Sequence, residues 1–139
     1  MTTITETAKA FFEACETGKG WAACSSYCAP NATFASQAEP LADVKTLEGY
    51  VEWMKGLLTF IPNGRYVLKS FATDAERGSV CAYAVFQGTH SAEGGPMAPT
   101  GKSTSSDYVY WIEFENGKIR HMTKIWHAVW AMRELGWMA

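Results

Sequence analysis

STSSDYVYWIEFENGKIRHMTKIW, residues 103–126, consists of two runs rich in aromatic and β-branched side chains on either side of Asn116-Gly117. That dipeptide supplies the left-handed positions a tight hairpin turn requires. The runs therefore read as antiparallel strands over Ser103–Phe114 and Lys118–Trp126. With an unbroken ladder behind a two-residue turn, Glu113 faces Arg120, Trp111 faces Met122, Val109 faces Lys124 and Asp107 faces Trp126. Side chains alternate across a strand, so these residues share one face. Tyr108, Tyr110, Ile112 and Phe114 share the other with Ile119, His121, Thr123 and Ile125. Neither is a solvent face. Helices can cover one of them. A second copy of the chain is expected over the Tyr108, Tyr110, Ile112 and Phe114 face, which would otherwise be a contiguous apolar patch.

Upstream of the hairpin the periodicity changes. Ala8, Phe11, Phe12 and Cys15 recur at helical spacing and predict a helix over residues 5–17, stopped by Gly18. A short helix over Trp21–Tyr27 follows, then a short strand over residues 31–35. Residues 36–45 read as irregular. Thr46 caps a third helix over Leu47–Leu58, with Tyr50, Val51, Met54 and Leu57 on one side. Strands over Arg65–Phe71 and Ser79–Thr89 come next, then a glycine- and proline-rich loop over Ser91–Gly101. A last short helix spans His127–Leu135. Helices first and antiparallel strands afterwards mean an α+β fold, here as one domain over residues 1–139.

The composition is that of a globular protein, and the net charge of −2 is spread without a basic block. That argues against a phosphate-tracking surface and a nucleic-acid partner. No apolar run has the ~18 residues of a membrane span. Met1 to Glu6 lacks the charged start and apolar stretch of a leader, so a cytoplasmic location is expected. Cys24 and Cys28 fall four apart on a predicted helix. Without a second Cys or His pair at metal-ligand spacing, the four cysteines read as buried free thiols. No metal or other cofactor is expected.

Lys124 is the unusual residue of the hairpin. The unbroken register sets it among Val109, Trp111, Met122 and Trp126, where an unpaired ammonium is costly. Asp107 is its diagonal neighbour. Two readings stay open: a structural ion pair with Asp107, or a pocket lysine acting on a ligand. The second requires Lys124 to face a cavity of roughly 300 Å³ or more. His90, at the mouth of the long loop, is a further ligand or catalytic candidate, and that loop could serve as a lid.

The Gly88-Thr89-His90, Pro99-Thr100-Gly101-Lys102 and Phe114-Glu115-Asn116-Gly117-Lys118-Ile119 blocks resemble the SnoaL-like polyketide cyclases. Tyr27-Cys28-Ala29-Pro30-Asn31-Ala32-Thr33-Phe34 is similar to the same superfamily. The resemblance implies a cone-shaped nuclear-transport-factor-2-like fold, with N-terminal helices on a strongly bent antiparallel sheet around one apolar pocket. It implies a hydrophobic small molecule, a polycyclic or aromatic carbonyl compound, as ligand. The cyclases' acid/base aspartate on the last strand matches Lys124. The ketosteroid isomerases share the fold, and their catalytic positions match Ser36, Val109 and Phe11, none of which can do that chemistry. Met122 and Trp126 match apolar pocket positions. The resemblance thus implies a pocket kept and the known catalytic sets lost, with Lys124, Asp107 and His90 as the remaining polar candidates. A non-catalytic ligand-binding dimer is the alternative.

Overall fold

The computed structural model describes residues 2–138; Met1, where the leader reading begins, lies outside them. Thr3 and Glu6 open the first helix reciprocally. The Glu6 amide donates to Thr3 Oγ1 at 3.1 Å, and the Thr3 amide donates to Glu6 Oε1 at 3.0 Å. This satisfies two donors that a helix start leaves free. The helix, α1, runs Ile4–Glu16 and buries Ala8, Phe11, Phe12 and Cys15. After it come α2 (Trp21–Cys24), a 3-10 turn over Ser25–Tyr27 and the strand β1 (Cys28–Ser36). Cys28 therefore begins a strand and does not continue the helix of Cys24. Thr46 accepts from the Gly49 amide at 3.0 Å and caps α3 (Leu47–Phe60).

Four further strands follow: β2 (Arg65–Asp74), β3 (Ser79–Thr89), β4 (Ser103–Glu115) and β5 (Lys118–Trp126). The helix α4 (Ala128–Glu134) comes last. The sheet order is β1-β5-β4-β3-β2. Strands β2 to β5 are antiparallel meanders, whereas β1 pairs with β5 in parallel. The sheet is therefore mixed, and the all-antiparallel expectation is corrected at this one edge. The cause is that β1 arrives from the helical layer and not from a hairpin. Helices α1 and α3 pack their apolar stripes against one face of the curved sheet, and Phe34, Tyr50, Val80, Tyr110, Ile112 and Met122 meet in the core between them. The α+β architecture and the cone are as expected.

The turn itself forms as read, with φ of 52° at Asn116 and 79° at Gly117. The ladder behind it does not stay in step. Glu115 pairs with Lys118 and Phe114 with Ile119, but Glu113 then pairs with His121. Arg120 is the extra residue of a β-bulge, and its guanidinium reaches both Glu113 and Glu115 at 3.1 Å. One inserted residue exchanges the faces of everything beyond it. Tyr108, Tyr110 and Ile112 therefore face inward with Met122, Lys124 and Trp126, and all but the half-buried Trp126 are buried. Asp107, Val109, Trp111 and Glu113 face outward with His121, Thr123 and Ile125. The expected outer contact face of Tyr108, Tyr110 and Ile112 is thus the inner wall.

Candidate functional site

Lys124 projects from β5 into the cone and is 6% exposed. Its Nζ donates to Tyr50 Oη at 3.0 Å. Tyr50 Oη is hydrogen-bonded to Tyr110 Oη, and Tyr110 donates to Glu16 Oε2 at 2.5 Å. Tyr108 donates to the other carboxylate oxygen, Glu16 Oε1. Thus two phenols join an amine to a carboxyl group from the last turn of α1, and a third phenol supports the carboxyl. Among the described residues no carboxylate oxygen lies within 4.0 Å of the Lys124 nitrogen.

The ammonium sits in an aromatic cage. Ring centroids of Trp126, Tyr50, Tyr108 and Trp53 lie 4.6, 5.0, 5.2 and 5.3 Å from Nζ. The negative faces of these rings offset part of the lost hydration. Burial nevertheless pulls the Lys124 pKa down to about 8, against the opposing attraction of Glu16. Burial pushes the Glu16 carboxyl up, while Lys124 and the phenol hydrogen bonds pull it back. The phenols of Tyr50 and Tyr110 are held well above their usual range, first by burial and then by the Glu16 charge. They are donors and relays, not anions.

The network opens onto a cavity bounded by Glu16, Tyr108 and Lys124 on the polar side, and by Trp53, Met54 and Trp126 among the apolar walls. Ala131, Leu135 and Trp137 close it from the C-terminal end. Its volume is about 20 Å³, room for a water molecule and far short of the roughly 300 Å³ required of a ligand pocket. Side chains therefore occupy most of the space in front of the Lys124 ammonium in this structure. Trp53, Trp126 and Trp137 fill the space, and Trp53 and Trp126 meet edge to face at 6.0 Å beside the ammonium.

The sequence-derived candidates divide. Lys124 and Trp126 line the cavity; Met122, on the same face, is fully buried in the core beside it. Asp107, Val109 and Trp111 do not accompany them, because the bulge turns all three outward. Asp107 accepts from Tyr83 Oη at 3.2 Å on the outer face, so it is not the partner of Lys124. Val109 likewise cannot mark the position of an inward-facing acid. Phe11 is fully buried in the core and does not line the cavity. Ser36 donates to the Lys124 carbonyl at 2.9 Å where β1 ends beside β5, and with Lys124 and Trp126 it lines a separate cleft of about 520 Å³.

His90 is fully buried but belongs to a different place. Its Nδ1 accepts from Trp137 Nε1 at 2.9 Å and from the Thr100 amide at 3.4 Å. Two donors on Nδ1 put the ring proton on Nε2, which has no partner. His90 clasps the 91–101 loop to the C-terminal segment, and no residue of that loop lines the cavity.

Glu16, Tyr50, Tyr108 and Tyr110 escaped the sequence reading. A signal for Glu16 existed: Ala8, Phe12 and Glu16 are four apart, so the carboxylate continues a buried stripe. Tyr50 was visible on the apolar side of its helix but read as packing. Cys15, Cys24 and Cys28 are buried free thiols as expected, whereas Cys81 is free and exposed on the outer face. Among the described residues no cluster of His, Cys, Asp or Glu is arranged to hold a metal ion, and no helix is long and apolar enough to cross a membrane.

Comparison with known proteins agrees with this architecture. IdmH of Streptomyces antibioticus, a candidate polyketide cyclase, superimposes with a TM-score of 0.79 at 20% identity, over 97% of this chain and 99% of that one. A candidate SnoaL-like polyketide cyclase from Jannaschia sp. CCS1 gives 0.80 at 14% identity, over 98% and 93%. AclR of Streptomyces galilaeus, a candidate hydroxylase, gives 0.73 at 20% identity, over 98% and 84%. These identities establish shared fold and nothing finer. No curated protein sequence matches the chain. The family model described as SnoaL-like polyketide cyclase matches residues 6–135, nearly the whole length, and the chain belongs to that family.

Proposed function

We propose that the chain is a one-domain, small-molecule pocket protein that acts by acid–base chemistry on a hydrophobic carbonyl compound of the polycyclic or aromatic class. The observation that carries this is the hydrogen-bonded path Lys124–Tyr50–Tyr110–Glu16 ending at an apolar cavity. Buried polar groups are expensive, and a relay between an amine and a carboxyl group can hold or move a proton beside a bound carbonyl. In this reading Lys124 takes the place of the family's acid/base aspartate. Membership of the family supports the substrate class. A ligand enters when Trp53, Trp126 and Trp137 swing away from the cavity.

The functional unit is a homodimer through the outer sheet face. Val67, Tyr83 and Ile125 there are 40%, 38% and 64% exposed, and Val109 and Trp111 lie between them. Apolar side chains exposed near one another on one sheet face fit a contact surface.

A second reading, a dimeric domain without a small-molecule ligand, is favoured by the 20 Å³ cavity. Tryptophan fluorescence separates the two. Titration with aromatic and polycyclic ketones should quench Trp53 and Trp126 saturably, and Lys124→Met should weaken that binding tenfold or more. If no ketone quenches the protein or raises its melting temperature, the second reading stands.

A further inference from the structure

The separation between Lys124 and Glu16 is informative. A structural ion pair brings the carboxylate onto the ammonium, and surrounding hydrogen bonds satisfy what is left. Here the lysine nitrogen instead meets a phenol at 3.0 Å, and the carboxyl group stands behind a second phenol. Lys124 lines the cavity, and its nitrogen is ringed by Trp126, Tyr50, Tyr108 and Trp53. That is poor design for a salt bridge. It suits a nucleophilic amine with a proton donor beside it.

We infer that Lys124 forms an imine with an aldehyde or ketone carbonyl admitted to the cavity, with Tyr50 as the proton shuttle. The neutral amine attacks the carbonyl carbon, and a C–N bond forms as the C=O π pair moves to oxygen. Tyr50 Oη gives that oxygen a proton and receives one released by nitrogen. A second proton delivered through Tyr50 lets the hydroxyl leave as water, while the nitrogen lone pair closes the C=N bond. Loss of the remaining N–H proton leaves the neutral imine. The two amine hydrogens and the carbonyl oxygen depart as one water, and no oxidant or reductant is consumed. Tyr110 and Glu16 refill and drain Tyr50. Burial already favours the uncharged amine, since it pulls the Lys124 pKa down to about 8. Burial also raises the Glu16 pKa, opposed by Lys124 and by the phenol hydrogen bonds.

This deepens the proposed function and rests on it, so the test has two arms. In the first, binding of 2-acetonaphthone is followed by tryptophan quenching. In the second, the full chain is treated at pH 8 with one equivalent of benzaldehyde and sodium cyanoborohydride, and each lysine's benzylation is mapped by peptide mass spectrometry. The exposed lysines of the same chain are the internal reference. We expect Lys124 to be labelled at least tenfold faster than their average. Tyr50→Phe should reduce that preference about tenfold while the circular dichroism spectrum is kept. Lys124→Met should lose the fast adduct and keep only the slow labelling of the exposed lysines, and a folded variant with that pattern confirms the site. Saturable ketone binding without preferential labelling of Lys124 overturns the imine and leaves the binding function intact. Neither binding nor labelling overturns both. Preferential labelling that survives unchanged in Tyr50→Phe overturns the role given to Tyr50.

Discussion

The two faces of the β4–β5 hairpin carry similar numbers of large side chains and handle polarity in opposite ways. On the inner face Tyr108, Tyr110 and Lys124 are buried, and each is wired to another polar group of the cone. On the outer face Asp107 and Arg120 make exposed contacts with Tyr83 and Glu113, while Ile125 is left bare. The difference teaches where free energy is at stake. A buried network is costly to leave half satisfied, whereas exposed polar pairs contribute little because water replaces them. Chemistry should respond to changes on the inner face, and assembly to changes on the outer.

The largest expected effect comes from breaking the inner network at its acid end. Glu16→Leu removes the carboxyl group that balances Lys124 and accepts from two phenols. Loss of one member of a buried charged set costs about 3–5 kcal/mol. Urea melts should show it as a lower midpoint. Glu16→Leu combined with Lys124→Met should recover most of the loss, because no ammonium is then left uncompensated. Additive losses in that double-mutant cycle would show that the two residues do not communicate.

Much of the fold was legible because local signals agreed. The Asn116-Gly117 turn, the Thr46 cap and the Ala8, Phe11, Phe12 and Cys15 spacing each specify one element with its own physics, and each element formed. The parallel edge strand was hidden, since β1 finds β5 across most of the chain and nothing local announces such pairing. The candidate site was half legible. A lysine among aromatic residues stood out in sequence, but its neighbours were misplaced by one bulge at Arg120, which the residue string does not mark. Glu16 sits more than a hundred residues upstream of Lys124 and meets it only through the packing of α1 on the sheet.

The next effect is a pH dependence. The folded pKa of Lys124, about 8, lies below its ordinary value of 10.5. Between those values the unfolded chain keeps a proton that the folded chain has released, so stability rises with pH through this window. The penalty is fully present below about pH 8. Relative to Lys124→Met, the wild type should gain roughly 2 kcal/mol between pH 8 and pH 10. Matched urea melts at the two pH values measure it. A flat difference would mean that Lys124 stays charged throughout.

On the outer face Ile125→Asp tests the proposed dimer. Ile125 is 64% exposed, so the fold of one subunit loses little. A charge placed in an apolar interface should weaken association at least tenfold, about 1.4 kcal/mol, by sedimentation. An unchanged sedimentation profile, or a monomeric wild type at micromolar concentration, would remove this face as the interface.

The smallest effect is the sharpest test of the bulge. Asp107→Asn removes a charge that an unbroken ladder would have set beside Lys124. With Arg120 inserted, that side chain lies on the far side of the sheet and accepts from Tyr83 at 3.2 Å on an exposed surface. The amide oxygen of asparagine can accept the same hydrogen bond, so the expected change in stability is within about 0.5 kcal/mol. The alkaline gain attributed to Lys124 should keep its size and its window, because nothing facing the ammonium has changed. A partner carboxylate would give the opposite result: losing it would pull the lysine pKa lower still, and the rise would begin at lower pH. Matched melts of Asp107→Asn and wild type across pH 7 to 10 distinguish the two, and a displaced window would restore Asp107 to the site.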